Sequence, residues 1–276
     1  MGSVTPSHTE STYLTLGSQQ TILSRFIMYI DEKTFVNDIP PTKWTQEWQV
    51  KSWPVFIASG STADSFNPGT TLSIDAHGIG AFRLPLPSSE MEISIYHADG
   101  SLAYVSKREK RCSGNSVLSH PKLGDLLNTL YFCGPNRDPV IHLLQSPAPE
   151  TSSVELATKW TSRSTAFVDP VSGKSFEWSY ARTKIADGRK VNLIVLRRKE
   201  EGEGKGKIVA QLIRDHETRT AGTTKCSAGN GGQLVLDQHA SSELDEALIV
   251  ATCLVMLKRE LDRRRAIQFM VLAGAI

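Results

Sequence analysis

Cysteine is scarce and unpaired in this chain. Cys112, Cys133, Cys226 and Cys253 form no C-x-x-C pair, and no histidine stands at zinc-finger spacing. A structural metal site is therefore not expected. There is no N-x-[ST] sequon, and residues 1–20 lack the apolar core of a signal peptide. Pro6 stands where an N-myristoylation pattern wants Ser or Thr. Together these absences favour a cytoplasmic or nuclear location. No apolar run reaches the roughly 20 residues that cross a bilayer, so no transmembrane span is expected. Charge of one sign is missing too: Lys and Arg total 31 against 29 Asp and Glu, a net +2. The global basic field of a dedicated nucleic-acid binder is thus excluded, and any electrostatic role must come from local clusters.

Signatures of catalysis are equally thin. No G-x-S-x-G elbow occurs. Asp215, His216 and Glu217 are adjacent at a strand end, where neighbouring side chains point to opposite faces and do not converge. His77, His97, His120, His142 and His239 are scattered, and only His77 and His97 have a route to meet in a barrel. Gly202, Gly204 and Gly206 precede a strand candidate, not the helix N-terminus that a phosphate loop needs. Gly229 to Gly232 reads as a turn before a strand. No catalytic residue, cofactor or metal is assigned.

What is present is a chain of 276 residues, 39% apolar and 22% charged, long enough for a large core. Residues 1–20 are polar and read as a flexible tail, leaving 21–276 as one domain. Period-two alternation dominates it. Met91 to Tyr96 runs to a turn at Asp99-Gly100, and Leu102 to Val105 returns, a hairpin signal. Asp187-Gly188 repeats this grammar before Val191 to Leu196. Phe176 to Tyr180, Ile208 to Ile213 and Leu234 to Leu236 are further strands, with Phe176, Trp178 and Tyr180 on one face. Pro121 to Tyr131 reads as a short helix with Pro in its first turn. Trp44, Trp48 and Trp53 cluster ahead of the strands, as packing against the barrel exterior or as a groove.

The segment Ile74-Asp75 with Phe82, Leu84 and Leu86 matches Val168-Asp169 with Phe176, Trp178 and Tyr180 in spacing. Ala98-Asp99-Gly100 matches Ala186-Asp187-Gly188, and each hairpin ends in a basic pair, Lys107-Arg108 and Arg197-Arg198. We read this as an internal duplication of a β-meander, with halves 21–145 and 156–240 joined by the loose stretch Gln145 to Glu155.

The most informative element is the last. Ser242, with Asp245 three residues on, has the look of a capping box, and a helix is expected over 242–265. Ala247 to Leu257 (ALIVATCLVML) has no polar face. A helix apolar all round, yet too short for a membrane, must be enclosed by protein. Lys258 to Arg265 is then expected to emerge into water, with Glu260 pairing Arg263 and Arg264. A second apolar stretch, Ala266 to Ile276, packs on the outside, binds a partner or touches a membrane.

These features imply a mainly β protein: a closed antiparallel barrel of about twelve strands around a buried C-terminal hydrophobic helix. On Ser73 to Phe82 (SIDAHGIGAF), the two Ala-Asp-Gly hairpins, Ser175 to Arg182 (SFEWSYAR) and the late helix, the chain resembles the tubby C-terminal-like superfamily. That group includes the phospholipid scramblases and the plant LURP-one-related proteins, and the chain looks most like its fungal members. The resemblance implies a twelve-stranded barrel around a central helix, and phosphoinositide binding through Lys and Arg. From the residues themselves, Lys107, Arg108, Arg197, Arg198, Arg263 and Arg264 are the candidate lipid- or anion-binding set, or else a salt-bridged surface. The function expected is non-enzymatic binding at an anionic lipid surface or to a protein partner. The alternative is an enzyme or carrier of a small apolar ligand that uses a barrel cavity.

Overall fold

The computed structural model describes residues 66–81, 89–111, 113–132, 137–145, 153–159, 162–184, 190–200 and 206–274. The expected tail at 1–20, the Trp44–Trp53 cluster and Phe82 to Leu86 lie outside them.

Twelve strands form a closed antiparallel barrel. They are β1 (Pro68–Asp75), β2 (Glu92–His97), β3 (Leu102–Lys107), β4 (Ser116–His120), β5 (Gly124–Leu130) and β6 (Val140–Leu143). The second six are β7 (Ser153–Thr158), β8 (Thr165–Val168), β9 (Ser175–Lys184), β10 (Lys190–Arg198), β11 (Ile208–Ile213) and β12 (Gly232–Asp237). Each strand pairs with its sequence neighbours, and β1 pairs with β12 to close the ring. Closure leaves no unpaired strand edge. Odd-numbered strands therefore run one way along the barrel and even-numbered strands the other.

The expected helix at Pro121 to Tyr131 is instead the β4–β5 hairpin. Pro121 sits in its turn, where His120 Nδ1 accepts the backbone N–H groups of Lys122 and Leu123. Leu127, Thr129 and Tyr131 follow at period two and are the buried positions, and that alternation overrides the proline cue. The stretch Gln145 to Glu155 does not divide two domains. Its last residues already belong to β7, which pairs with β6 in the same ring. Of the two matched hairpins, Ala98-Asp99-Gly100 joins β2 to β3, while Ala186-Asp187-Gly188 lies outside the described residues; β3 and β10 finish at opposite ends of the barrel.

A short helix, α1 (Ala240–Glu243), precedes the long helix α2 (Glu246–Leu272). The expected start at Ser242 is displaced. Leu244 is extended, and Asp245 is the cap, its side chain accepting the Leu248 N–H at 3.1 Å. Its carboxylate also meets the positive end of the helix dipole, an advantage that Ser242 lacks. The helix does not end at 265 either. Nothing in its sequence breaks it before Gly274, which adopts φ +68° just beyond the last turn.

Every face of α2 from Ala247 to Val255 is buried except at Leu254, which is half-buried. The helix packs against inward residues from around the ring, among them Leu72, Ile95, Leu156, Phe176, Leu196 and Leu234. Trp178, fully buried, donates its indole N–H to Thr252 Oγ1 at 2.9 Å, and that hydroxyl donates to the Leu248 carbonyl at 2.8 Å. The one polar side chain in the apolar run is thus satisfied on both sides. The outer faces of β10 to β12 are apolar as well, in a second cluster of Val191, Leu193, Val195, Ile213, Val235 and Phe66.

Val250→Asp places an unpaired charge in this enclosed layer, a cost of several kcal/mol. Soluble, cooperatively folding protein is expected to be lost, whereas Leu254→Asp, facing a gap described below, retains a folded fraction; soluble yield and circular dichroism measure both. Thr252→Val leaves the Trp178 N–H without a partner and is expected to cost about 1–3 kcal/mol in denaturant unfolding.

Candidate functional site

Strand direction sorts the charges. At the end where odd strands finish and α2 exits, the described side chains include sixteen Lys and Arg against nine Asp and Glu. At the end where α2 enters, there are six against ten. Among the described residues the barrel thus has one basic and one acidic end.

The six sequence-derived candidates divide between these ends. Lys107 and Arg108 close β3 and lie at the basic end, with Arg263 and Arg264 of α2. Arg197 and Arg198 close β10 and lie at the acidic end. The expected single patch does not form, because β3 and β10 run in opposite directions. Arg198 is engaged by Glu243 at 2.9 Å and Glu200 at 2.6 Å. Glu243 also holds Lys174 at 2.9 Å and Lys207 at 3.5 Å, a knot that ties the helix entry to three strand ends. Burial raises the Glu243 pKa, but the hydrogen bonds from Lys174 and Arg198 outweigh it and hold the carboxyl below the usual glutamate value.

At the basic end, α2 is bolted to the rim instead of emerging freely into water. Arg259 and Asp262 are buried. Arg259 donates to the carbonyls of Lys159 and Ser164 and to the Thr165 hydroxyl. Glu260 does not pair with Arg263 or Arg264. It takes Arg214 at 2.5 Å and the Gly229 backbone N–H at 3.0 Å. Gly229 has φ +71°, and a Cβ there would strike the Leu257 carbonyl, so only glycine lets the β11–β12 loop approach this closely. Arg263 donates to the Ser162 carbonyl and the Tyr180 hydroxyl, and Arg264 to the Cys226 carbonyl.

Other cations at this end remain available. Lys110, Arg111, Arg182 and Lys225 are exposed and make no ion pair among the described residues. Beside them the last turns of α2 project an apolar surface. Ile267 is 51% exposed and Leu272 63%, with Met270 and Val271 between them. Ile267, Met270 and Val271 share a face by their i, i+3, i+4 spacing. Gln268 donates to the carbonyls of Gly80 and Ala81 and anchors the base of this projection.

Between α2 and the rim of β2 to β5 lies a cavity of about 60 Å³. Its polar lining is Ser106, Ser116, Thr129, Glu90, Arg108 and Lys258; Ile93, Leu118, Leu254 and Leu261 supply apolar wall. Lys258 Nζ lies 3.0 Å from Asp262 Oδ1 and 5.4 Å from the centre of the Tyr131 ring. The sequence reading passed over this lining, because small hydroxyls spaced along separate strands form no motif. Their signal is the interruption of large apolar residues at inward positions, legible only with the register in hand.

The catalytic candidates do not assemble. His77 follows β1 at the basic end and His97 ends β2 at the acidic end. Asp215 caps a turn, its Oδ1 accepting the N–H groups of Glu217 and Thr218. No His, Cys, Asp and Glu cluster suited to a metal occurs among the described residues. Cys253 is buried, and burial pushes its thiol up to about 12, leaving no nucleophile at neutral pH. Comparison with family models, curated proteins and solved structures finds no match to this chain.

The Glu243 knot generates a pH prediction. A carboxyl with a lowered folded pKa stabilises above its ordinary value of 4.5 and loses that contribution as pH falls through the folded value. Thermal midpoints from pH 7 to pH 3 are expected to fall for the wild-type protein below about pH 4.5. Glu243→Gln is expected to be less stable at pH 7 and to show a shallower acid limb.

Proposed function

We propose that this protein is a non-enzymatic, peripheral membrane-binding module that sets its basic end on an anionic lipid surface. The observation that carries this reading is the coincidence, at one end of the barrel, of the cation excess and the exposed apolar end of α2. Each Lys or Arg near an anionic leaflet contributes about 1 kcal/mol. Each large apolar side chain moved from water into the interface contributes at most about 1.5–3 kcal/mol, less here because all are partly covered. Four cations and four apolar side chains together reach the roughly 8 kcal/mol of micromolar binding. No helix among the described residues is long and apolar enough to cross a membrane, so the end of α2 lies in the interface. The resemblance to the tubby C-terminal-like superfamily points the same way. The cavity beside α2, at about 60 Å³, is far below the roughly 300 Å³ of a drug-sized site and gives the carrier alternative no support of its own.

Co-sedimentation with vesicles tests the reading. Binding is expected to phosphatidylcholine vesicles doped with phosphatidylserine, weakly to phosphatidylcholine alone, and to decline as salt rises. Lys110→Glu with Arg111→Glu, and separately Ile267→Ser with Met270→Ser and Val271→Ser, are each expected to weaken it about tenfold or more. Arg197→Glu, at the opposite end, is expected to leave it unchanged. Binding that ignores lipid charge, or responds to Arg197→Glu and not to the basic-end variants, overturns the proposal.

A further inference from the structure

We infer that the cavity beside α2 is a binding site for one phosphate group, held by the hydroxyls of Ser106, Ser116 and Thr129 and by the charges of Arg108 and Lys258. The argument begins with the register. Ser106 of β3 stands opposite Leu118 of β4, and Ser116 of β4 stands opposite Thr129 of β5. All four are inward positions at the basic rim. Elsewhere in the ring most inward positions carry apolar side chains of the core around α2, and the inward hydroxyl of Thr165 is bonded to Arg259. Here three of the four carry a small hydroxyl, and the gap they leave is the cavity.

Those hydroxyls line the cavity. Ser106 and Thr129 are buried, and neither they nor Ser116 make a side-chain hydrogen bond among the described residues. Three hydroxyls facing one space, with Ser116 half-buried, offer an occupant several hydrogen bonds. A volume of about 60 Å³ equals about two waters, the bulk of one tetrahedral oxyanion. The ionic lining decides its sign. Arg108, Lys258 and the neighbouring Arg265 stand against two carboxylates, Glu90 and Asp262, and Glu90 also accepts the His77 backbone N–H at 2.8 Å. Asp262, next to the cavity, is shared between Lys258 and Arg265. An anion is therefore favoured over a neutral polyol, and a phosphate, which accepts hydrogen bonds at every oxygen, matches three hydroxyl donors and two cations.

The phosphate has two sources: free in solution, or the terminal phosphate monoester of a lipid presented at the basic end. The inference concerns the cavity and does not require the membrane reading. Titration calorimetry of the full chain with sodium phosphate at fixed ionic strength is the first arm. Saturable binding is expected, weakened about tenfold or more in the pair Ser106→Ala with Thr129→Val, which removes two donors and nearly preserves shape. Lys258→Met is expected to weaken it similarly, with thermal melts confirming that each variant is folded. The second arm compares vesicles carrying phosphatidic acid or phosphatidylserine at matched charge. A preference for phosphatidic acid that vanishes in the Ser106→Ala, Thr129→Val protein assigns the site to a lipid phosphate. Phosphate binding without that preference assigns it to the free ion. A folded wild-type protein that shows neither, or binding indifferent to the paired substitution, overturns the inference and leaves water as the occupant. Phosphatidylserine binding that persists in the paired variant shows that docking through the basic end survives independently of the cavity.

Discussion

The structure depends on one constraint: a helix without a polar face cannot present any side to water. Ala247 to Leu257 offers no stripe on which a one-sided sheet would suffice, so its apolar surface has to be covered in all directions. A sheet that surrounds a helix must close on itself, which is what the β1–β12 pairing does. Closure in turn satisfies every strand edge, so one solution meets the demands of both helix and sheet. The helix interior tolerates a single polar group, Thr252, because Trp178 reaches across from β9 to share its hydroxyl.

Polarity follows from the same arrangement. A twelve-strand meander turns alternate strand ends to alternate ends of the barrel, and α2 threads it in a fixed direction. Acidic residues gather where the helix begins, at Glu243, Asp245 and Glu246. Basic residues gather where it leaves, from Lys258 to Arg265. Both placements complement the helix dipole. The loops follow the same division, so a nearly neutral sequence yields a strongly polar molecule. Composition conceals this, because a net charge does not record at which end a residue lies.

The sequence made some of this legible and hid the rest for identifiable reasons. Period-two alternation and the Asp99-Gly100 turn located the hairpins, and β11 spans Ile208–Ile213 as expected. The enclosed helix was legible because its apolar run lacks any competing reading. Local cues failed where a longer-range term outweighed them. Pro121 suggested a helix start, but the inward sequence Leu127, Thr129, Tyr131 had already fixed a strand. Ser242 suggested a cap, but the charge of Asp245 sits one turn closer to the apolar run. The basic pairs failed as a single site for a topological reason: equal spacing in sequence says nothing about strand direction, and β3 and β10 run oppositely. The cavity was illegible without register, since Ser106, Ser116 and Thr129 are unremarkable residues until their strands are aligned.

The last step concerns how one helix serves stability and surface recognition without conflict. Along α2 every residue from Ala247 to Leu257 except the half-buried Leu254 is buried, burial remains high at Arg259, Leu261 and Asp262, and it falls away after Arg265. The transition coincides with the change from apolar to cationic to apolar sequence. Within the collar the arginines are not equivalent. Arg214 and Arg259 have every reason to be structural, being bonded to Glu260 and to rim carbonyls in low-exposure settings. Lys110, Arg111 and Lys225 are carried on loops and touch no counter-charge among the described residues, so their removal costs the fold little. Beyond the collar, Ile267, Met270 and Val271 contribute nothing to the enclosed core. An apolar surface that the fold does not need, held rigidly beside unpaired cations by Gln268 and the arginine anchors, is a feature that stability alone does not account for.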